Sequence, residues 1–448
     1  MAAIARVAAL QSLQQLRTGP AELAAVLERE RRRLADPRDR ALATEIVLGT
    51  TRWRAALDCA IAWAGGRSVE EFDAVVLDVL RMTAYQLLHL DRVPAAAAVD
   101  DAVDLCRQKG HPRAARAVNA VLRRISRERA RLPLPTPDDP LACLSVTWSH
   151  PSWLAARWLA RMGFDTALEW VRFNNSPAPL TLRANTLVAT PESLAAALGR
   201  AGVVTRPCRF ARDGLVVESG HPLGTSLAAE GMFVAQDEAS QLVGAFAACS
   251  AHGRVLDACA SPGGKTIQLA SALGGRGFLV AGELRPRRIR LLRETLAAAR
   301  LGAIAVIRHD LLGGLPFGPV FDCVVVDAPC SSLGTIRRDP DVRWVRHEGD
   351  LASFAGRQRR MLASAASGVG PGGCLVYATC SSEPEENEDV VDAFLALVRD
   401  FTLEDPRAAN APIDPGLGAC LDAHGCLRTT PHQHGLGAFF AARLRRRS

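Results

Sequence analysis

RVLDACASPGGKT, residues 254–266, decides the fold of the larger part of this chain. An apolar run ends in Asp257, a Pro-Gly-Gly turn follows, and Lys265 and Thr266 open an amphipathic segment. That order is a strand, a glycine turn and the start of a helix, which aims backbone N–H groups and the positive end of a helix dipole at a bound ligand. Alone it fits any β-to-α turn, and the segments C-terminal to it give it weight. Apolar runs at RVLDACA, GFLVAGEL, AIAVIRHD, FDCVVVDAP and GCLVYATC alternate with helical periodicity near 265–273, 286–301, 351–367 and 385–399. This alternation predicts an α/β domain with a doubly wound parallel sheet, whose ligands bind at the carboxyl ends of the strands. Polar residues fall at those ends: Asp257, Glu283, Asp310, Asp327 through Cys330, and Thr379-Cys380. Glu283 lies about twenty residues past the glycines, where an acid bonds ribose hydroxyls in dinucleotide folds. The ordered set points to a nucleoside cofactor beside a thiol.

The 448 residues allow two or three domains, and a hydrophobic content of 48% with 23% charged residues is that of a globular protein. No run of about 18 apolar residues is present, so no membrane partner is expected, and the N-terminal stretch is interrupted by Arg6, Gln11, Gln14 and Gln15, unlike a signal peptide. The 12 cysteines include no C-x-x-C pair, and they are read as reduced thiols of a cytoplasmic protein. His432 and His434 are close, yet no cysteine pair has zinc spacing, so no metal is expected. The net charge is +7, and residues 1–135 hold 22 Lys and Arg against 16 Asp and Glu. Such a bias fits a polyanion partner, and solvated helix faces would also produce it. Of the 54 Lys and Arg residues only Lys109 and Lys265 are lysine, which marks Lys265 as a position that needs a compact ammonium.

Outward from this domain, residues 1–131 predict an all-helical bundle, with apolar positions at helical spacing in 4–16, 42–48, 57–63, 74–90, 95–107 and 114–125. Arginines cluster at 31–33 and from 123 to 131. LPLPTPDDP, at 132–140, predicts a stiff linker within 132–147 and a domain boundary. Residues 148–235 predict a small α+β subdomain, and 236–448 the catalytic domain. In FNNSPAPLTLRANT, Asn174, Asn175 and Arg183 either face a substrate or cap turns.

Two families of site fit the glycine turn. SPGGKT is similar to the end of a phosphate-binding P-loop, but Cys259 stands at that motif's first glycine and Glu283 has no place in it. DACASPGGKT, VVVDAPCSSLGTIRRDPDVRW and GCLVYATCS together resemble the Sun-type (Nop/Sun) RNA cytosine-carbon-5 methyltransferases. RDRALATEIVLGTTRWRAALD, LRMTAYQLLHLDRVPAAAAVDDAV and ARAVNAVLRR resemble a NusB-like RNA-binding domain, which is the arrangement of the family's RsmB-type bacterial rRNA branch. FNNSPAPLTLRANT and FVAQDEASQLV (233–243) resemble the substrate-facing, RRM-like lead-in of such enzymes.

The resemblance implies a Rossmann-like class I methyltransferase domain, S-adenosyl-L-methionine as cofactor, and single-stranded or loop 16S rRNA as partner, acted on by a monomer. Carbon 5 of cytosine is a weak nucleophile, so a thiolate first adds to carbon 6. By resemblance Cys380 is that nucleophile, Cys330 helps resolve the adduct and Asp327 meets the pyrimidine edge, while Lys265 favours the thiolate. The cofactor is expected on Cys259, Ala260, Ser261, Pro262, Gly263, Gly264 and Lys265, with Glu283 at the ribose, Asp310 near the adenine and Asp327 near the methyl group. Arg287 and Arg288 are placed to reach cofactor or phosphate. Arg337, Arg338, Arg343 and Arg346 with Trp344 read as an RNA-tracking surface or as a solvated loop. Ser261 replaces the family's usual alanine, and Gly437-Ala438 its usual Asp-Gly. A tRNA enzyme of the same family and a non-catalytic assembly factor are the alternatives.

Overall fold

Helical signals are strongest where apolar residues return every three or four positions behind a capping acid. Asp36 accepts a hydrogen bond from the amide of Arg38 and starts Pro37–Arg52, and Asp73 accepts from Val75 and Val76 and starts Ala74–His89. The computed structural model, which describes residues 3–18, 23–408 and 413–448, divides by packing into two units. The first comprises the chain up to Ser176 together with Ile336–Arg346. Its helices Ile4–Thr18, Leu23–Arg33, Pro37–Arg52, Arg54–Gly65, Ala74–His89, Ala95–Gln108 and Ala115–Arg127 enclose a core that includes Leu10, Ile46, Leu57, Leu80 and Leu122. The helix at 23–33 was hidden because only Leu23, Val26 and Glu30 turn inward while arginines fill its last turn. Ser152–Asn175 is two helices joined at Gly163, whose φ of 76° breaks the spiral. The proline-rich stretch at 132–140 lies inside this first unit.

The expected RNA-tracking run at 337–346 is packed into that unit, which is a correction. Arg343 is fully buried and donates to the carbonyl of Ser149 (2.8 Å) and to Asn175 Oδ1 (2.8 Å). The Trp344 indole donates to the carbonyl of Thr51 (2.7 Å), and Arg337 lies 4.4 Å over the ring of Phe173. Asn175 of the FNN motif is therefore an acceptor for a buried guanidinium, and its Nδ2 donates to the carbonyl of Trp148 (2.8 Å), which ends the turn Cys143–Thr147. Among the described residues the hydrogen-bond partners of Arg343 are all neutral, and burial, with the charge of Arg52 nearby, pushes its pKa well down.

The second unit comprises Pro177–Thr335 and His347–Ser448. It opens with a small antiparallel sheet in the order β2-β3-β1-β4, formed by β1 (Thr181–Ala184), β2 (Val204–Pro207), β3 (Gly214–Ser219) and β4 (Phe233–Ala235) and backed by the helix Pro191–Arg200. In the large sheet, β5 (Arg254–Asp257), β6 (Phe278–Glu283), β7 (Ala305–Arg308), β8 (Phe321–Asp327) and β9 (Val369–Thr379) run parallel in the order β9-β8-β5-β6-β7. The sheet is mixed and wider than expected. β12 (Phe439–Arg446) pairs antiparallel with β9, and β10 (Phe401–Leu403) and β11 (Leu427–Thr429) pair with β12. FFAARLRR is rich in good helix formers, and its alternation is masked because six of its eight residues are buried.

Replacing Arg343 by methionine orphans the buried acceptors on Ser149 and Asn175, and should lower the unfolding free energy by about 3 kcal/mol, measured by urea denaturation.

Candidate active site

The strand order has a switch point at β5, whose neighbours β6 and β8 are reached by connections that leave in opposite directions. Past Asp257 the chain turns through Gly263, whose φ of 113° only glycine adopts without strain, into the helix Gly264–Leu273. A cavity of ≈180 Å³ opens there, lined by Asp257, Cys259, Ala260, Ser261, Pro262, Gly264, Lys265 and Asp327 from the large sheet's loops. Val234 to Gln236, Ser240 and Thr295 complete its wall. Arg183, buried on β1, donates to Gln236 Oε1 (2.8 Å) and to the carbonyl of Gly264 (2.9 Å). It thus holds the small sheet to the glycine turn.

Asp257 is buried and accepts from the Thr266 hydroxyl (2.7 Å). Burial, with the charge of Asp327 nearby, pushes its pKa up to about 6. Burial likewise holds Cys259 as a neutral thiol. Glu283 is buried at the end of β6, and its Oε1 accepts the amides of Leu284 (2.8 Å) and Arg285 (2.9 Å). Its Oε2 has no protein partner among the described residues. Glu283 and Asp310 do not line the cavity. Asp310 is exposed and caps a short turn through the amide of Leu312 (3.0 Å), while its neighbour His309 is buried and touches the carbonyl of Ala258 (3.2 Å).

β8 and β9 are adjacent, so the loops that leave their ends meet. The sulfurs of Cys330 and Cys380 are 3.3 Å apart. Lys265 Nζ is 2.7 Å from Asp327 Oδ2 and 3.1 Å from Ser240 Oγ. The thiol of Cys330 is held protonated by its bond to Cys380 and by burial. The Cys380 thiol is lowered by that same bond, aided by the Ser332 hydroxyl and the Lys265 ammonium, against burial and the charge of Asp327. Of the two thiols, Cys380 is therefore the one more readily ionised. A second thiol pair, Cys323 and Cys374, stands in register on the same two strands, but both are fully buried inside the sheet.

Residues 246–445 match the model of the 16S rRNA methyltransferase RsmB/F family, 3–127 the NusB family, and 150–224 the ferredoxin-like domain of RsmF/B-like methyltransferases. The chain is 32% identical over 417 residues to the probable ribosomal RNA small subunit methyltransferase B of Bacillus subtilis, covering 91% of each chain. The chain belongs to the RsmB/F family of 16S rRNA methyltransferases. The ribosomal RNA small subunit methyltransferase B of Xylella fastidiosa is 35% identical over 98% of both chains. Among solved structures, that of PH0851 superposes with a TM-score of 0.80 at 26% identity over 98% of each chain. NSun6 from Pyrococcus horikoshii, solved with SFG, shares the fold at 20% identity and a TM-score of 0.57, covering 66% of this chain and 98% of its own.

The departures from the family pattern have a structural reading. The Ser261 hydroxyl donates to the carbonyl of Arg288 (3.2 Å), so the larger side chain is accommodated. At Gly437-Ala438 the main chain carries the contacts: Ala438 N donates to Gly334 O (3.1 Å), Gly334 N donates to Cys380 O (2.9 Å), and Gly437 O accepts from Thr429 Oγ1 (2.7 Å). A Cβ on Gly334 would sit 1.8 Å from the Ala438 carbonyl. Glu386, which touches the serines next to both cysteines, was missed because it stands in the acidic run EPEENED and reads as a solvated helix start. Among the described residues no group of three or more His, Cys, Asp and Glu side chains could hold a metal ion, and no helix is long and apolar enough to cross a membrane.

Cys380 should be alkylated by iodoacetamide ahead of Cys330, and Lys265→Met, which removes a stabilising cation, should move the half-maximal pH of that alkylation up by about one unit, read by mass spectrometry.

Proposed function

We propose that this chain methylates carbon 5 of a cytosine in 16S rRNA through a covalent bond between Cys380 and carbon 6, with S-adenosyl-L-methionine as the donor. The observation that carries the reading is the 3.3 Å contact of the two sulfurs, each at the tip of one of two adjacent strands. The Lys265–Asp327 pair stands where β8 meets the glycine turn. The donor's fit is supported by the cavity at that turn, the left-handed Gly263 and the free Oε2 of Glu283, which suits a ribose hydroxyl. Bound there, the donor supplies an electrophilic methyl group. Cys259 to Lys265 and Asp327 would hold it, with Glu283 at the ribose and Asp310 beyond the enclosed part of the site.

The Cys380 thiolate adds to carbon 6, forming an S–C bond and moving the ring's 5,6 electron pair to carbon 5, which is thereby made nucleophilic toward the methyl group that a donor held at the glycine turn would supply, the donor's sulfur keeping the electron pair of the bond it gives up. Asp327, with Oδ2 engaged by Lys265, presents its other oxygen to the pyrimidine edge. Water acting as base then takes the carbon 5 proton, and the electron pair of that C–H bond re-forms the 5,6 double bond and expels the Cys380 sulfur as a thiolate. The Cys330 thiol, already bonded to that sulfur, stabilises it as it leaves. The target base must be unstacked for attack on its face, so single-stranded or loop rRNA is the substrate class, met in the cytoplasm by a monomer. Residues 1–131 are read as the RNA-binding domain and 148–235 as the substrate-facing one, joined by 132–147 and followed by the catalytic domain at 236–448.

Cys380→Ala should abolish methyl transfer to 16S rRNA while donor binding, followed by calorimetry, persists. Cys330→Ala should accumulate a covalent protein–RNA species on denaturing gels, and a Cys330→Ala protein that turned over freely would exclude its role in release. Bisulfite sequencing of rRNA and tRNA from cells lacking the protein should lose a 5-methylcytosine in 16S rRNA and none in tRNA.

A further inference from the structure

Glu386 is fully buried, and among the described residues no cation pairs with it. A carboxylate is costly to bury unless every lone pair is used, and here the donors are all neutral. Oε1 accepts the amide of Ser331 (2.8 Å) and Gln358 Nε2 (2.9 Å). Oε2 accepts the hydroxyls of Ser331 (2.5 Å) and Ser381 (2.5 Å). These serines directly follow Cys330 and Cys380 in the chain.

The other flanks of the cysteines are fixed from the same place. Gln358 Nε2 also donates to the carbonyl of Pro329 (3.1 Å), just before Cys330. Asn387 accepts from the hydroxyl of Thr379 (2.5 Å) and donates to the carbonyl of Ser381 (3.1 Å), so it spans Cys380 on both sides. Glu386 is itself pinned, because the buried Tyr377 hydroxyl donates to its carbonyl (2.6 Å). Neither Glu386 nor Asn387 touches the sulfurs.

We propose that Glu386 is the positioning residue of the thiol pair: its carboxylate clamps the Cys330 turn to the Cys380 turn and so sets the distance between the two sulfurs. The two loops leave different strands 50 residues apart in the chain; the Gly334–Cys380 main-chain bond (2.9 Å), the Ser331–Ser381 hydroxyl contact (3.1 Å) and the Cys380–Ser332 contact (3.7 Å) also join them, and this carboxylate holds both of those joined hydroxyls and the Ser331 amide at once. The catalytic consequence of the clamp rests on the proposed function; the clamp itself does not.

The test uses the full-length protein with Glu386→Ala and Glu386→Gln. A glutamine can keep the geometry, its oxygen accepting from the Ser331 amide and Gln358 while its amide donates to the two hydroxyls. Two readouts are needed: bridging of Cys330 to Cys380 by a trivalent arsenical, mapped by mass spectrometry, and the rate of adduct formation on 16S rRNA in the Cys330→Ala background. Glu386→Ala should lose the bridge and slow the adduct about 100-fold, as an ångström-scale misplacement does, with donor affinity unchanged. Glu386→Gln should keep the bridge and stay within about fivefold of the parent in adduct rate. Bridging and adduct formation at parental level in Glu386→Ala would overturn the clamp, as would equal damage by both substitutions. If Glu386→Ala fails to fold, the Ser331→Ala/Ser381→Ala double variant, which removes both hydroxyl arms, should weaken bridging; parental bridging there overturns the proposal. If Cys330→Ala alone never forms an adduct, the proposed chemistry fails while the arsenical still reads the clamp.

Discussion

The placement of β8 between β5 and β9 brings three otherwise distant stretches of chain to one end of the sheet, and the chemistry of the second unit depends on it. β5 delivers the glycine turn and Lys265, β8 delivers Asp327 and Cys330, and β9 delivers Cys380. Had β8 joined the other edge, the ammonium, carboxylate and two thiols would lie strands apart. β12, paired along β9 from Cys374 to Thr379, then keeps that strand from being an edge and carries Ala438 to the turn beside Cys380.

Charge is used sparingly and by shape in these interiors. Arg183 and Arg343 are both buried and both direct their forked donors at neutral oxygens, a carbonyl and a side-chain amide each. Lys265 sits where a single compact cation must reach a carboxylate and a hydroxyl at once. An arginine there would bring a larger planar group in place of a compact ammonium. The survival of lysine at this position in an arginine-dominated chain fits that two-partner contact.

Much of this was legible in the amino-acid order. Strand tips, the glycine turn and the paired cysteines are local patterns, and a doubly wound sheet aligns such tips without further information. What escaped was long-range. Arg343 carries no local mark of burial, since its partners come from 149, 174 and 175. Glu386 is one acid among several, and only the folded chain singles it out. β12 carries no clear alternation to mark it as a strand, and it pairs along the edge that β9 offers. Asp310, a strand-tip acid, also caps a turn through the amide of Leu312.

The segment Ile336–Arg346 leaves the second unit one residue after Thr335 and returns at His347, having packed with the helices in between. Severing this chain at residue 176 would therefore not release an independent catalytic piece. The fragment would carry Arg343 and Trp344 into water stripped of the Ser149, Asn175 and Thr51 acceptors. The two units are interleaved along the sequence, so neither is a single continuous stretch that could be excised whole.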